Sequence, residues 1–256
     1  MISMQLKNKI ALIGGAGRNN GRAISLRFAE EGANLILVAR TRKAELDEVV
    51  KACEAKGAKV LPFLGDVSKP EDVQRIVDES LKHFGRIDVL VTVAGLRKHK
   101  DFWEISYEEW LEVFAVNLHS TFLLAKAVVP SMMKQKSGSI VALGGMASIT
   151  SQPQRAHVVA SKTGLYGLIK SLALELGPYG IRANLLALSY IRNQRLNPED
   201  YPELKNGERP NEEIESIPLK REGAREEVAN VALFLASDQS SYVTGDRIIC
   251  AGGKYM

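Results

Sequence analysis

Short apolar runs and helix-length amphipathic segments alternate along this 256-residue chain. The apolar runs are KIALIGG, ANLILVA, KVLPFLGD, IDVLVTVAG, GSIVALGG, IRANLLALS and DRIICAGG. They are apolar throughout rather than on every second residue, so each strand is expected to be buried on both faces. That happens where helices cover both sides of a parallel sheet. The helical patterns between them include GRAISLRFAEEG, KAELDEVVKACEAKG closing on Gly57, and KPEDVQRIVDESLKHFG with Pro70 in its first turn. A long helix over about residues 106–133 follows, then ASKTGLYGLIKSLALELG and REEVANVALFLAS. Right-handed crossovers wind such a chain into one Rossmann-type, doubly wound α/β domain over residues 1–256, with ligands at the carboxyl ends of the strands. One stretch breaks the rhythm. Residues 190–218 are polar and proline-bearing and follow a strand's carboxyl end, which predicts a substrate lid.

Composition removes several classes of function. Charged residues make up 25% of the chain and hydrophobic ones 45%, as in soluble globular proteins. The net charge of +4 comes from interleaved acids and bases, which argues against a nucleic-acid partner. No apolar run approaches the roughly 20 residues of a membrane span. The opening MISMQLKNKIALIGG lacks a signal-peptide layout, so a cytoplasmic location is expected. Cys53 and Cys250 have no metal-ligand neighbours and read as buried free thiols. His83, His99, His119 and His157 are scattered, so no metal is expected.

GGAGRNNG, from Gly14 to Gly21, lies between the first strand pattern and the first helix pattern. Glycines there let backbone approach a pyrophosphate that sits on the helix N-terminus. With the repeated strand–helix units, this points to a dinucleotide.

Further landmarks follow: GDVS at 65–68, VAG at 93–95, VNL at 116–118, ASK at 160–162, SLALELGPYGIRAN at 171–184, IPLKREGAREEVA at 217–229 and SSYVTGDRIICAGG at 240–253. With these the chain resembles the short-chain dehydrogenase/reductases from end to end. The resemblance implies a cofactor site of Gly15, Gly17, Arg18, Asn19, Asn20, Gly21, Arg40, Asp66, Val67, Ala94, Gly95 and Lys162. Asn19 stands where the family has its middle glycine, and asparagine tolerates the left-handed backbone needed there. Asp66 matches the residue that contacts adenine. At the end of the second strand Ala39 replaces the acid that would bind the ribose hydroxyls of NAD. Arg40 follows it, with Arg18 and Arg42 near, and guanidinium groups suit a 2′-phosphate. The cofactor expected is NADP(H).

The chemistry end departs from the family. Lys162 and Asn117 match its lysine and asparagine. Its serine, which polarises a carbonyl, is replaced by Gly145, and its tyrosine, which moves the proton, by Val158. The Asn-Asn-Ala-Gly turn has become Thr92, Val93, Ala94, Gly95, and the Pro-Gly pair has become Leu188 and Ser189. General acid catalysis contributes about 10²–10⁴-fold and an oxyanion donor about 10²–10³-fold, so simple ketone reduction should sit near background. His157, beside the empty position, and Tyr190, in the lid, are substitute proton carriers; the bland readings are an exposed or loop histidine and a packing tyrosine. Ser148 and Thr150 could bond a ligand, and Tyr166 reads as packing.

The replacements leave a roomier, more apolar pocket at Gly145, Met146 and Val158. Arg97, Lys98, His99 and Lys100, with Arg155, Arg192 and Arg195, come from three segments predicted to converge at its mouth. The substrate expected is a small anionic molecule. Three readings stand: an NADP(H)-dependent oxidoreductase transferring hydride to an activated conjugated system; a lyase, hydrolase or dehalogenase with NADP structural or absent; and a non-catalytic subunit of a hetero-oligomer. The resemblance also implies a homo-oligomer, tetramer or dimer, built on the long helices.

Overall fold

The computed structural model describes residues 4–194, 202, 204 and 208–255. Seven parallel strands form one sheet in the order β3-β2-β1-β4-β5-β6-β7. They are β1 Ile10–Gly14, β2 Asn34–Ala39, β3 Val60–Leu64, β4 Val89–Thr92, β5 Gly138–Leu143, β6 Ile181–Leu188 and β7 Arg247–Cys250. The chain runs outward from β1 to β3, returns to β4 beside β1, and then runs outward the other way. The order therefore reverses between β1 and β4, where Gly14 lies level with Thr92. A crevice opens beyond the strand ends at such a switch point.

Alternate residues of each strand feed two cores. Ala11, Ile13, Leu35, Leu37, Val91 and Val141 face α1 (Asn19–Glu30), α2 (Lys43–Glu54) and α8 (Arg225–Ala236). Leu12, Ile36, Val38, Leu90 and Ile140 face α3 (Pro70–Phe84), α5 (Ser120–Gln135) and α6 (Ala156–Leu176). The five central strands are buried on both faces, which is why their runs read as continuously apolar, while the edge strands β3 and β7 are partly exposed.

Helix ends follow local chemistry. Pro70 opens α3 with Glu71 and Asp72 in the first turn, and Gly85 closes it at φ 75°. Ser106 caps α4 (Tyr107–Phe114), its hydroxyl accepting from Glu109 N while Glu109 accepts from Ser106 N. The predicted 106–133 helix runs over Tyr107–Gln135, with a π-helical turn at Ala115–His119 that the sequence does not announce. That helix is long and apolar enough to cross a membrane by length and composition, against the expectation drawn from short runs; it packs against the sheet, with 44% of its most apolar window buried. Asn117, His119, Ser120, Thr121 and Lys126 interrupt it, which hides the apolar stretch from a count of consecutive residues. Helix α2 stops at Glu54, three residues before Gly57, which takes φ 87° in the turn that follows. Strand β7 spans four residues rather than the whole DRIICAGG run, and its Cys250 is half-buried, whereas Cys53 is buried as expected. A short helix α7, Asn211–Glu215, forms within the predicted lid.

Candidate active site

The glycine turn leads from β1 into α1 at the crevice. Gly15 takes φ 96°, and a Cβ there would stand 3.0 Å from Ala94 N. A Cβ on Gly21 would fall 2.0 Å from Gly15 O, so Gly21 serves the packing of helix on turn. Asn19 adopts φ 48°, as expected of its left-handed position. Its side chain does not lie beside the turn but spans to the segment after β6: Nδ2 donates to Gln194 O and Oδ1 accepts from Gln194 N, both at 2.9 Å. Helix α1 has no side-chain cap and no acid in its first turn, which leaves its N-terminal N–H groups to an anion.

Beside the turn lies a groove of about 200 Å³ lined by Gly15, Arg18, Ala39, Arg40, Asp66, Val67, Ser68, Ala94, Gly95 and Leu96. Gly17 is off that lining and packs on its wall, where a Cβ would meet Ala39 Cβ at 3.5 Å. Asp66 is held in place by its loop, its Oδ1 accepting from Ser68 N at 2.9 Å and Ser68 Oγ at 2.6 Å. Arg42 turns away to pair with Glu45 at 2.7 Å. Asn20 lines the neighbouring cavity instead, with Oδ1 buried and without a hydrogen-bond partner among the described residues. A groove with two arginines at one end, an open helix N-terminus and an orphaned amide oxygen nearby fits a dinucleotide phosphate.

The groove shares Gly95 and Leu96 with a cavity of about 620 Å³. Lys162, Leu143, Gly144, Gly145, Met146, Val158, Leu188 and Tyr190 are on its lining. Lys162 is buried, and Nζ donates to Leu143 O at 3.1 Å. Desolvation pulls its ammonium down to about 8. Gly95 makes room for it, because a Cβ there would lie 3.4 Å from Lys162 Nζ and from Asn117 Oδ1.

Asn117 sits on the π-turn, a feature frequent at functional sites. The turn aims its amide at Leu96: Oδ1 accepts from Leu96 N at 2.8 Å and Nδ2 donates to Leu96 O at 3.0 Å and to Ser161 Oγ at 3.1 Å. Asn117 is thus absent from the cavity wall and clamps the loop after β4.

Gly145 takes φ 89° and ψ 167°, a region that only glycine enters easily. A serine at this position would be strained in that conformation. Ser148 is folded back onto Gly145 O at 2.8 Å, and Thr150 lines the cavity. Tyr166 packs on the core and lies under the Arg247 guanidinium, 4.5 Å from its ring centroid.

His157 corrects both of its sequence readings. It is neither exposed nor in a loop nor on the cavity lining, but buried in the first turn of α6. The helix rotates each successive residue by about 100°, so the neighbour of Val158 faces another way. Neither ring nitrogen has a hydrogen-bond partner among the described residues. Burial lowers its pKa, with Lys98, His99 and Lys100 adding to the effect and Glu109 opposing it.

Tyr190 does line the cavity, at φ 55°. Burial and the adjoining Tyr255 hydroxyl push its phenol up to about 12. Arg209 lies over its ring at 4.3 Å. Arg209 is itself buried between Glu213 at 2.6 Å and Glu222 at 3.1 Å. Residues Tyr190, Ile191, Asn193, Pro202, Arg209 and Glu213 of the predicted lid all line the cavity.

The predicted ring of cations is smaller than expected. Arg97 and Arg155 line the cavity, and Arg155 Nε donates to His99 Nε2 at 2.7 Å. Lys98 pairs with Glu112 and Lys100 with Glu109 on α4, at 2.6 and 2.5 Å, because the loop after β4 lies along that helix. Arg192 is exposed beside Glu222 and off the lining. Arg195 lies outside the described residues. Arg209, which sequence reasoning missed, lines the cavity; its partner Glu213 is at i+4, a spacing that signals a helical ion pair.

A family model described as Enoyl-(Acyl carrier protein) reductase matches residues 15–254. A 3-oxoacyl-[acyl-carrier-protein] reductase of Thermotoga maritima is 39% identical over 250 residues, covering 98% of this chain and 99% of that protein. Among solved structures, levodione reductase superposes with a TM-score of 0.90 at 31% identity, over 97% of this chain and 98% of that one. Carveol dehydrogenase from Mycobacterium avium in complex with NAD also gives 0.90, at 27% identity over 98% of each chain.

Proposed function

The chain belongs to the short-chain dehydrogenase/reductase family, and from that premise we propose that it is an NADP(H)-dependent oxidoreductase acting on a small anionic molecule through an activated, conjugated system. The observation that carries the reading is the pairing of two adjoining spaces. A groove with Arg18 and Arg40 around Ala39 opens at Gly95 and Leu96 into a cavity whose lining has Gly145 and Val158.

Arg40 and Arg18 would hold the 2′-phosphate, the N-terminus of α1 the pyrophosphate, and Asp66 and Val67 the adenine. Ala94, Gly95 and Lys162 face the nicotinamide end. NADPH bound there supplies a hydride. The residues of the cavity then set what can receive it. No hydroxyl at 145 polarises a ketone and no phenol at 158 protonates an alkoxide. A conjugated acceptor delocalises its charge away from the reacting carbon and needs less of either. Arg97 and Arg155 hold the substrate's anionic group by focusing positive potential at the cavity wall. The matched family's description, enoyl-(acyl carrier protein) reductase, names an enoyl group, a conjugated acceptor of this kind, which supports the reading. The assembly we propose is a homo-oligomer, a dimer or tetramer, in which each chain carries one site.

The test is direct. NADPH should bind at least about tenfold more tightly than NADH, because a charge-assisted phosphate contact is worth roughly 1.5–3 kcal/mol. Arg40→Ala should narrow that gap. Oxidation of NADPH at 340 nm should proceed with crotonyl-CoA and not with acetoacetyl-CoA or cyclohexanone. Equal affinity for the two cofactors overturns the NADP assignment, and robust ketone turnover overturns the choice of acceptor.

A further inference from the structure

We propose that Lys162 is also a covalent catalyst: in the cofactor-free cavity its amine condenses with the ketone of a small 3-oxo acid whose carboxylate Arg97 and Arg155 hold. This goes beyond the hydride reading and uses the same cavity without needing redox chemistry.

The argument starts from what surrounds Nζ. Its hydrogen bond is to a neutral carbonyl, Leu143 O at 3.1 Å, and no carboxylate pairs with it among the described residues. Val93, Leu143, Val158 and Leu188 line the same cavity with it. An ammonium buried without an opposite charge is costly, and the protein reduces that cost by favouring the neutral amine, as the lowered pKa of Lys162 records. At pH 7.5 a lysine of pKa about 8 is roughly a quarter neutral, against about a thousandth for an ordinary one. Desolvated lysines with a free lone pair are the ones that form imines with carbonyl substrates.

Geometry supplies access. Val158 lies one helical turn before Lys162 on α6, and both line the cavity. Valine is smaller than the tyrosine the family resemblance implies there, and both side chains open on the same cavity. The cavity of about 620 Å³ accepts a small oxo acid with room to spare. Arg155 is held by His99 rather than left to swing, which gives the carboxylate a fixed anchor.

The steps balance without a further reagent. The Nζ lone pair forms a C–N bond to the ketone carbon, and the ketone oxygen takes one proton from Nζ and one from solvent water in the cavity and leaves as water. The product is an iminium on Lys162. The bond from C2 to the carboxylate then breaks, and its electron pair moves through C2–C3 to nitrogen as carbon dioxide leaves. The enamine takes a proton at C2, and water hydrolyses the imine to a methyl ketone and free Lys162.

Acetoacetate with sodium cyanoborohydride at pH 7.5 tests this on the unmodified protein, read by intact mass and peptide mapping. The expected result is one adduct per chain, on the peptide carrying Lys162, formed at least tenfold faster than on any other lysine. Acetone, which lacks the carboxylate, should label Lys162 more slowly. Absence of label at Lys162, or label spread over exposed lysines, overturns the proposal; equal labelling by acetone overturns the part given to the arginines. NADPH fluorescence on the same preparation separates the two readings. Protein that binds NADPH but leaves Lys162 unlabelled retains the cofactor reading and loses this one.

Discussion

At Gly145 a single residue changes two things at once. A Cβ built there meets nothing closer than Leu188 O at 3.6 Å, so a serine side chain would have space. The obstacle is the backbone, at φ 89° and ψ 167°. A side chain in that region costs about 1–3 kcal/mol. Gly145→Ser should therefore lower the thermal midpoint by several degrees, at roughly 2–4 °C per kcal/mol for a chain of this size. Differential scanning calorimetry of the single variant measures it. An unchanged midpoint would mean that the loop relaxes to a serine-compatible conformation without cost. Where the midpoint falls, pairing the change with Val158→Tyr should fail to restore ketone reduction, since the serine hydroxyl would be presented from a distorted turn. The loss of serine is evident from the residue type; the backbone conformation is not, because glycine permits several and its choice goes with the turn Met146–Ser148 and the Leu188 carbonyl beside it.

Helix α6 shows how an element can carry both the site and a liability. Its first turn buries His157, neither ring nitrogen of which finds a hydrogen-bond partner among the described residues. Burial depresses the histidine's pKa, so the folded state prefers the neutral ring. The unfolded chain binds that proton near the ordinary value of about 6.5. Stability from the neutral ring is therefore complete above pH 6.5 and lost as pH falls below it, at up to about 1.4 kcal/mol per pH unit. His157→Leu should remove that slope. Urea unfolding at pH 7.5 and 5.5 should show a smaller difference in the variant than in the parent, and equal slopes would assign the acid sensitivity to other groups. Strands and most helices were readable because the period of apolar residues is set by burial on both sheet faces. The π-turn at 115–119 was not. It satisfies a contact far along the chain, Asn117 with Leu96 and Ser161, and local periodicity holds no trace of such a contact.

Across the whole molecule, what sequence reasoning reached depends on how far apart the partners lie. The glycine turn, Arg40 and Asp66 fall at strand ends that the alternation itself locates, and the groove gathers them. The cavity is less basic than the sequence predicts: Lys98 and Lys100 have helical glutamates as partners, and Arg192 lies off the lining. Surface apolar residues give the remaining large-scale prediction. Helix Tyr107–Gln135 leaves Tyr107, Leu111 and Phe122 exposed, next to exposed Phe102 and Trp103. On a different side, the edge strand β7 exposes Ile249, with Leu174 and Tyr242 exposed elsewhere on the surface. Apolar patches on a stable chain mark places where another surface covers them, and most homo-oligomers close by two-fold axes that use one patch twice. The patch on the long helix supplies one such axis and gives a dimer, and a second axis through another surface gives a tetramer. Light scattering should return a mass of two or four times 28.1 kDa rather than the monomer's. Leu111→Lys with Phe122→Glu should lower the assembly by one step, from four chains to two or from two to one, because a charge buried in an apolar contact goes unpaired. If the parent is a monomer at micromolar concentration, or if the variant keeps the parent's mass, the long helix is not the surface that joins the copies.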